Sequence, residues 1–184
     1  MAYGDNVLRQ VAKEIEKGHP DLEKIIERML ETMYHANGVG LAAPQVNHSI
    51  RLFVIDTHEL KEKLKEDEHP IKQIFINAKM MEKIGDNVMF NEGCLSIPDI
   101  REDVDRPSKI RIKYMDENFH EHEKEFDGIA SRVIQHEYDH IEGILFIDYL
   151  KPLKKRLLKN RLLDISRGDV QVDYKMKFPV MKRK

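Results

Sequence analysis

Residues 127–143 read DGIASRVIQHEYDHIEG, and their spacing decides the architecture. Ile129, Val133, His136 and His140 stand four, three and four residues apart, which stacks their side chains on one face of an α-helix. Asp127 is placed to cap a helix running to Ile141, and Gly143 to end it. One stripe of that helix therefore grades from apolar wall into imidazoles. The segments before it are short and strand-like, so an internal helix following a run of strands points to α+β rather than to a doubly wound sheet.

Outward from that helix, strands are predicted over residues 50–55, 73–81, 87–90, 110–114 and 119–126, with Asp116-Glu117-Asn118 turning between the last two. Residues 8–16 read as a short helix. Residues 21–35 read as a longer one, with Leu22, Ile25, Ile26, Met29, Leu30 and Met33 at helical spacing behind His19-Pro20, and Asp21 as its N-cap. Residues 57–70 are charged and read as a surface excursion. A last helix is predicted from 152 to about 165, and the alternation over 170–178 predicts an added edge strand. The expected architecture is mixed or antiparallel β-sheet around the central helix, closed by a C-terminal helix, with residues 1–184 forming one domain.

Composition narrows the function classes. The chain has 184 residues, 41% of them hydrophobic, enough for one substantial core. It has no run of 18 apolar residues and no charged start followed by an apolar stretch, so neither a membrane span nor a signal peptide is expected. A single cysteine cannot form an intrachain disulfide, which fits a reducing, cytoplasmic setting. The net charge of -2 hides an asymmetry: residues 151–184 carry twelve Lys or Arg against three Asp. Such a tail is either a solvated helix face or a contact for a polyanion such as RNA.

Three constellations carry chemistry. The first is His136-Glu137-x-x-His140, in which two imidazoles one helical turn apart can hold a metal while the Glu between them stands beside it. The second is Glu92-Gly93-Cys94-Leu95-Ser96, which places the only thiol at a sharp turn whose backbone N–H groups are available to an anion or oxyanion. Cys94, His136 and His140 then make a three-ligand site with a position left for water, lowering its pKa to give a hydroxide nucleophile, with Glu137 as general base and then acid. The third is Gly38-Val39-Gly40-Leu41-Ala42-Ala43-Pro44-Gln45, whose small residues allow close backbone approach and whose Gln45 offers an amide donor. It is neither a P-loop nor a dinucleotide fingerprint.

Taken in this order, the three strings resemble the peptide deformylase family, matching its G-x-G-x-A-A-x-Q, E-G-C-x-S and Q-H-E-x-D-H patterns at every specified position. Val7-Leu8-Arg9 and the helix over 21–35 also look like the family's N-terminal segment. The resemblance implies hydrolysis of the N-formyl group of formyl-methionyl nascent peptides, releasing formate. It assigns Gln45 and the Leu95 N–H to the developing oxyanion and the Gly40 backbone to the peptide's main chain. Val39 and Phe90 join Ile129 and Val133 around the methionine side chain. It favours Fe(II) in the cell, whereas the ligands alone also accept Zn(II), Ni(II) or Co(II). It further implies an apolar strand ahead of Tyr3-Gly4-Asp5, of which only Met1-Ala2 stand in this sequence, and it leaves the basic C-terminal region as a possible ribosome contact.

Outside these strings, Arg132 falls off the ligand stripe and reads as solvated. Asp139 is expected to pair with Arg101 or Arg106, or else to orient a histidine. His120 and His122 read as an exposed strand face rather than a chelate. Two rivals remain: a zincin-like peptidase, for which no downstream third-ligand extension exists, and a silent metal-stabilised binding domain, which would need neither Glu137 nor Gln45.

Overall fold

The computed structural model describes residues 1–64 and 68–179; residues 65–67 of the charged excursion and the last five residues of the basic tail lie outside them. Among the described residues the strands form one antiparallel sheet in sequential order: β1 (Gly40–Ala42), β2 (Leu52–Asp56), β3 (Lys72–Cys94), β4 (Ile97–Met115) and β5 (Glu121–Asp127). Three α-helices accompany it among the described residues: α1 (Leu22–His35), α2 (Gly128–Ile141) and α3 (Pro152–Arg167). Among the described residues the only parallel pairing is an isolated bridge, Lys13 to Ile50.

β2 lies between the two helices that matter for the site. Its residues alternate faces: Phe53 and Ile55 join Ile129, Val133, Ile134 and Ile141 of α2 in one core cluster, while Leu52 and Val54 join Ile26, Met29 and Met33 of α1 in another. Burial on both faces explains why this strand reads as a continuous apolar run. A third cluster seats Leu158, Leu162 and Ile165 of α3 on Ile97, Ile100 and Val104 of β4. α2 thus becomes the central helix, packed against β1, β2, β4 and β5.

β3 and β4 form a long ribbon that ends at Cys94. Straight, the 23 residues of β3 would span about 75 Å. Register shifts between Ile76 and Lys79, Met80 and Glu82, and Ile84 and Asn87 bend it, as bulges do, and so return its end to the ligand face of α2.

Several expectations are corrected. Residues 8–16 form no helix beyond a 3-10 turn at Asn6–Arg9. Their backbone groups go to tertiary partners instead: Ala12 N donates to Ile141 O at 2.8 Å, and Asn77 bonds both the N–H and the carbonyl of Ile15 at 2.8 Å. A segment of nine residues gains little from helix propagation against such partners. The two strands predicted over 73–81 and 87–90 are one, and 110–114 is only the end of β4. Residues 170–178 add no strand: Val172, Tyr174, Met176 and Phe178 do turn inward, but Met176 and Phe178 pack on the α3 cluster and Tyr174 bonds the Leu95 carbonyl through its hydroxyl, with no ladder formed. Asp21 and Asp127 occupy the N-cap positions without making the side-chain bond; Asp21 pairs with Lys24, and Ile129 N donates to Glu68 at 3.4 Å.

Candidate metal centre

The turn Leu95-Ser96, between β3 and β4, presents Cys94 to α2. Cys94 pairs with Ile97 across it. The Cys94 sulfur and one ring nitrogen each of His136 and His140 lie within 4.8 Å of one another, and Cys94 Sγ is 3.3 Å from His140 Nε2. Ligands of a tetrahedral thiolate–imidazole site stand about 3.5 Å apart, so the spacing suits a metal as well as a hydrogen bond. Among the described residues this is the one cluster of three His, Cys, Asp or Glu donors with metal-site spacing. The fit extends to the surroundings: His136 Nδ1 is held by Glu92 Oε2 at 2.9 Å, which leaves Nε2 for an ion. Burial, reinforced by the charge on His136, holds His140 well below its ordinary pKa, which favours the neutral imidazole of a ligand; against burial, Cys94 and Glu92 push His136 the other way, so an ion would have to displace the His136 proton. The three residues therefore fit a late first-row divalent ion.

Glu137 stands beside these ligands, 4% exposed, and its Oε2 has no hydrogen-bond partner. Burial pushes its carboxyl up to about 7, with the charge of His136 opposing and that of Glu92 adding; a cation between the ligands would pull it back down. A carboxylate near neutrality next to a water site can serve as general base. Gly40 touches it: a Cβ at that position would lie 2.4 Å from Glu137 Oε1. The glycine of the small-residue loop is thus required by the chain itself, before any ligand arrives.

Gln45 sits on the 3-10 turn Ala43–Val46. Its Oε1 accepts from Ala42 N at 2.8 Å, which aims its Nε2 at Ser96 Oγ, 3.3 Å away, and at Cys94 Sγ, 3.5 Å away. A cavity of about 880 Å³ opens in front of these groups, lined by Val39, Gly40, Gln45, Phe90, Cys94, Leu95, Ile129, Val133, His136 and Glu137 among others. Ten of the eleven residues singled out from the sequence line it, and His140 closes the ligand set behind it.

Sequence reasoning missed what lies beneath. Arg132 is not solvated but 7% exposed, donating to Glu92 at 3.1 Å and Val104 O at 3.2 Å, and also to Val88 O. The β3–β4 ribbon covers that flank of α2, so a residue off the ligand stripe is buried too. Glu92 also receives Arg106 Nε at 2.7 Å, and Arg106 Nη1 reaches Asp139 at 2.6 Å. Asp139 thus pairs with Arg106, whereas Arg101 bonds Asn91 instead. Burial alone would raise the Glu92 carboxyl, but the bonds from His136 and Arg106 outweigh it and hold it at about 2. The signal for Glu92 was present, two residues before the cysteine. His120 and His122 form no chelate and both approach Asp116.

The family profile described as polypeptide deformylase matches residues 1–156. A peptide deformylase of Cytophaga hutchinsonii is 53% identical, with 99% of this chain and 97% of that protein covered. One from Christiangramia forsetii is 51% identical over 100% of this chain and 96% of its own length. Among solved structures, the peptide deformylase of Plasmodium falciparum superposes with a TM-score of 0.79 at 38% identity, covering 90% and 93% of the two chains. With a metal-ligand cluster of this geometry and relatives alike over nearly all of their length, the chain belongs to the polypeptide deformylase family.

Proposed function

We propose that this chain is a peptide deformylase, a metal-dependent hydrolase that removes the formyl group from the N-terminal formyl-methionine of nascent peptides and releases formate. The observation that carries the reading is the convergence of Cys94, His136 and His140 beside a buried Glu137 with a free oxygen. Residues 1–184 act as one catalytic unit in the cytoplasm; among the described residues no helix is long and apolar enough to cross a membrane.

Cys94, His136 and His140 would hold the ion, Fe(II) in the cell with Zn(II), Ni(II) or Co(II) as substitutes. When bound, such an ion supplies Lewis acidity and lowers the pKa of water in the site. Glu137 takes the proton of the attacking water at its carboxylate and returns it to the departing amine nitrogen. As charge grows on the formyl oxygen, Gln45 Nε2 and the Leu95 N–H donate to it. Gln45 is already oriented by its bond to Ala42 N, so little reorganisation accompanies the step. β1 is the edge of the sheet, so the peptide can add alongside it as a strand, bonding the Gly40 backbone. Val39, Phe90, Ile129 and Val133 enclose the methionine side chain, a slot that prefers one methylene over another by about 1–3 kcal/mol.

The test is formate release from formyl-Met-Ala-Ser by protein loaded with Fe(II) or Ni(II). The parent should turn over and Glu137→Ala should not, with metal content unchanged. Silence of the metal-loaded parent would sink the reading. The basic segment from Lys151 onward supports a second contact, with ribosomal RNA: α3 carries Arg156 and Lys159 on exposed positions. Charge reversal at both should weaken co-sedimentation with ribosomes at low salt; unchanged sedimentation removes the idea.

A further inference from the structure

The turn that follows Cys94 has only two residues, Leu95 and Ser96, and both of its carbonyls are tied to distant parts of the chain. The Tyr174 hydroxyl donates to Leu95 O at 2.8 Å. Tyr3 N donates to Ser96 O at 2.8 Å, and Ala2 N donates to Lys177 O at 2.8 Å, so the two holding segments are also joined to each other. The C-terminal segment arrives there because Gly168, at φ +77, lets the chain leave α3 in the left-handed region. Asp169 N then bonds Asp164 O at 2.9 Å, and Val170, Met176 and Phe178 pack on the α3 cluster. Gln171 to Tyr174 form one wall of the cavity.

We propose that Tyr174 is a positioning residue for deformylation: by fixing the Leu95 carbonyl, in the peptide after Leu95, it restrains the turn so that the Leu95 N–H, in the peptide before it, stays aimed at the forming oxyanion. This rests on the deformylase reading above and on Leu95 as a donor in it. The chemistry requires such a restraint: a preorganised donor contributes only if it is in place before charge develops, and misplacement of about 1 Å is costly. The side chains of the turn are held, Leu95 against the α1 cluster and Ser96 by Gln45 Nε2, but the orientation of its peptide planes depends on what its carbonyls bond. The phenol is a suitable tether because it remains a donor at neutral pH and its ring loses few rotamers. The effect appears in turnover rather than peptide affinity, since the restrained N–H bonds more strongly in the transition state than in the ground state.

The experiment compares the parent with Tyr174→Phe, Ni(II)-loaded for kinetics on formyl-Met-Ala-Ser and Zn(II)-loaded for backbone relaxation by NMR. The expected result is a fall in kcat of about three- to tenfold, the size of one hydrogen bond, with KM within about twofold and metal content unchanged. The Leu95 order parameter should drop from about 0.85 toward 0.6. A kcat equal to the parent's overturns the proposal, as does a loss confined to KM, which would make the segment only a wall, or a loss that tracks missing metal. Should the variant fail to fold, the parent decides: a Leu95 order parameter already as low as that of Glu117 in the exposed β4–β5 turn overturns it. An inactive parent would instead fault the deformylase reading, while the relaxation data still report on the tether.

Discussion

Two networks of charge run along β4, and they differ in what surrounds them rather than in what they are made of. Near the ligands, Glu92, Arg106, Arg132 and Asp139 form a closed set whose Arg106–Glu92 pair is 2% and 4% exposed. Toward the far end of the same strand, Arg111 bridges Glu82 and Glu123 at 2.8 Å each, with side chains 40% or more exposed. The bond lengths are alike. In the first, every group has lost its water and depends on its partners; in the second, water and salt replace a lost partner at little cost. Geometry alone does not rank ion pairs, and burial does.

The largest expected effect comes from opening the buried set at its centre. Glu92→Gln leaves Arg106 with Asp139 as its one carboxylate and Arg132 with backbone carbonyls alone, and weakens the bond that orients His136. Denaturant unfolding should show a loss of about 3–5 kcal/mol, and metal affinity, measured by competition with a chelator, should fall about 10–100-fold. Stability within about 1 kcal/mol of the parent would mean that the two guanidinium groups find water after all. Asp139→Asn comes next. Arg106 Nη1 then faces a neutral amide, while the Tyr149 hydroxyl keeps an acceptor at its 3.0 Å contact, so the loss should be about 1.5–3 kcal/mol. Unchanged metal content and stability would remove any role for the Asp139–Arg106 pair.

This contrast also separates what could be read from the sequence from what could not. α1, α2 and α3 were legible nearly to the residue because an apolar stripe at helical spacing is a local signal, and Cys94, His136 and His140 because ligand chemistry restricts residue type. Of the β3–β4 ribbon only 73–81, 87–90 and 110–114 were legible. Glu82-Lys83 is exposed and is a strand through pairing alone, while over Asp103 to Arg106 the buried face carries Val104 and a charged Arg106, so neither stretch shows apolar alternation. Arg132 failed for the opposite reason: its burial is set by a ribbon that arrives from over forty positions earlier at Val88, which no periodicity on α2 can report. Tyr174 gave a signal of alternation that was real, but alternation does not say whether a segment meets a ladder or a layer of side chains.

Asp116 lies between the two extremes, a half-buried carboxylate with a complete set of donors. Its Oδ2 takes His122 Nε2 at 2.8 Å, and its Oδ1 takes the N–H groups of Asn118 and His120 at 2.9 Å. Foremost the His122 bond, then those backbone N–H groups, hold its pKa at about 2, below the ordinary 3.8. A depressed carboxylate stabilises the fold above its unfolded pKa, and that contribution is lost as pH falls from about 4 through 2. Asp116→Asn mimics the protonated form, so its deficit against the parent in urea midpoint should be visible at about pH 5 and should shrink as the pH approaches 2. A deficit independent of pH would mean that the turn depends on shape and not on charge.

The smallest effect is expected at Arg111, where the exposed network can be dissected without unfolding anything. Arg111→Ala breaks both contacts at once, yet Glu82 and Glu123 remain in water and need no replacement. The melting temperature should move by about a degree, and the shift should vanish in about 1 M salt, where screening reaches only about 3 Å. Comparing Arg111→Ala, Glu123→Ala and the double variant isolates the pair. A coupling as large as that between Glu92 and Arg106 would show that the bend of the ribbon, not burial, sets the strength of both networks, since the register shifts of β3 hold Glu82 against Arg111 just as they carry Glu92 to Arg106.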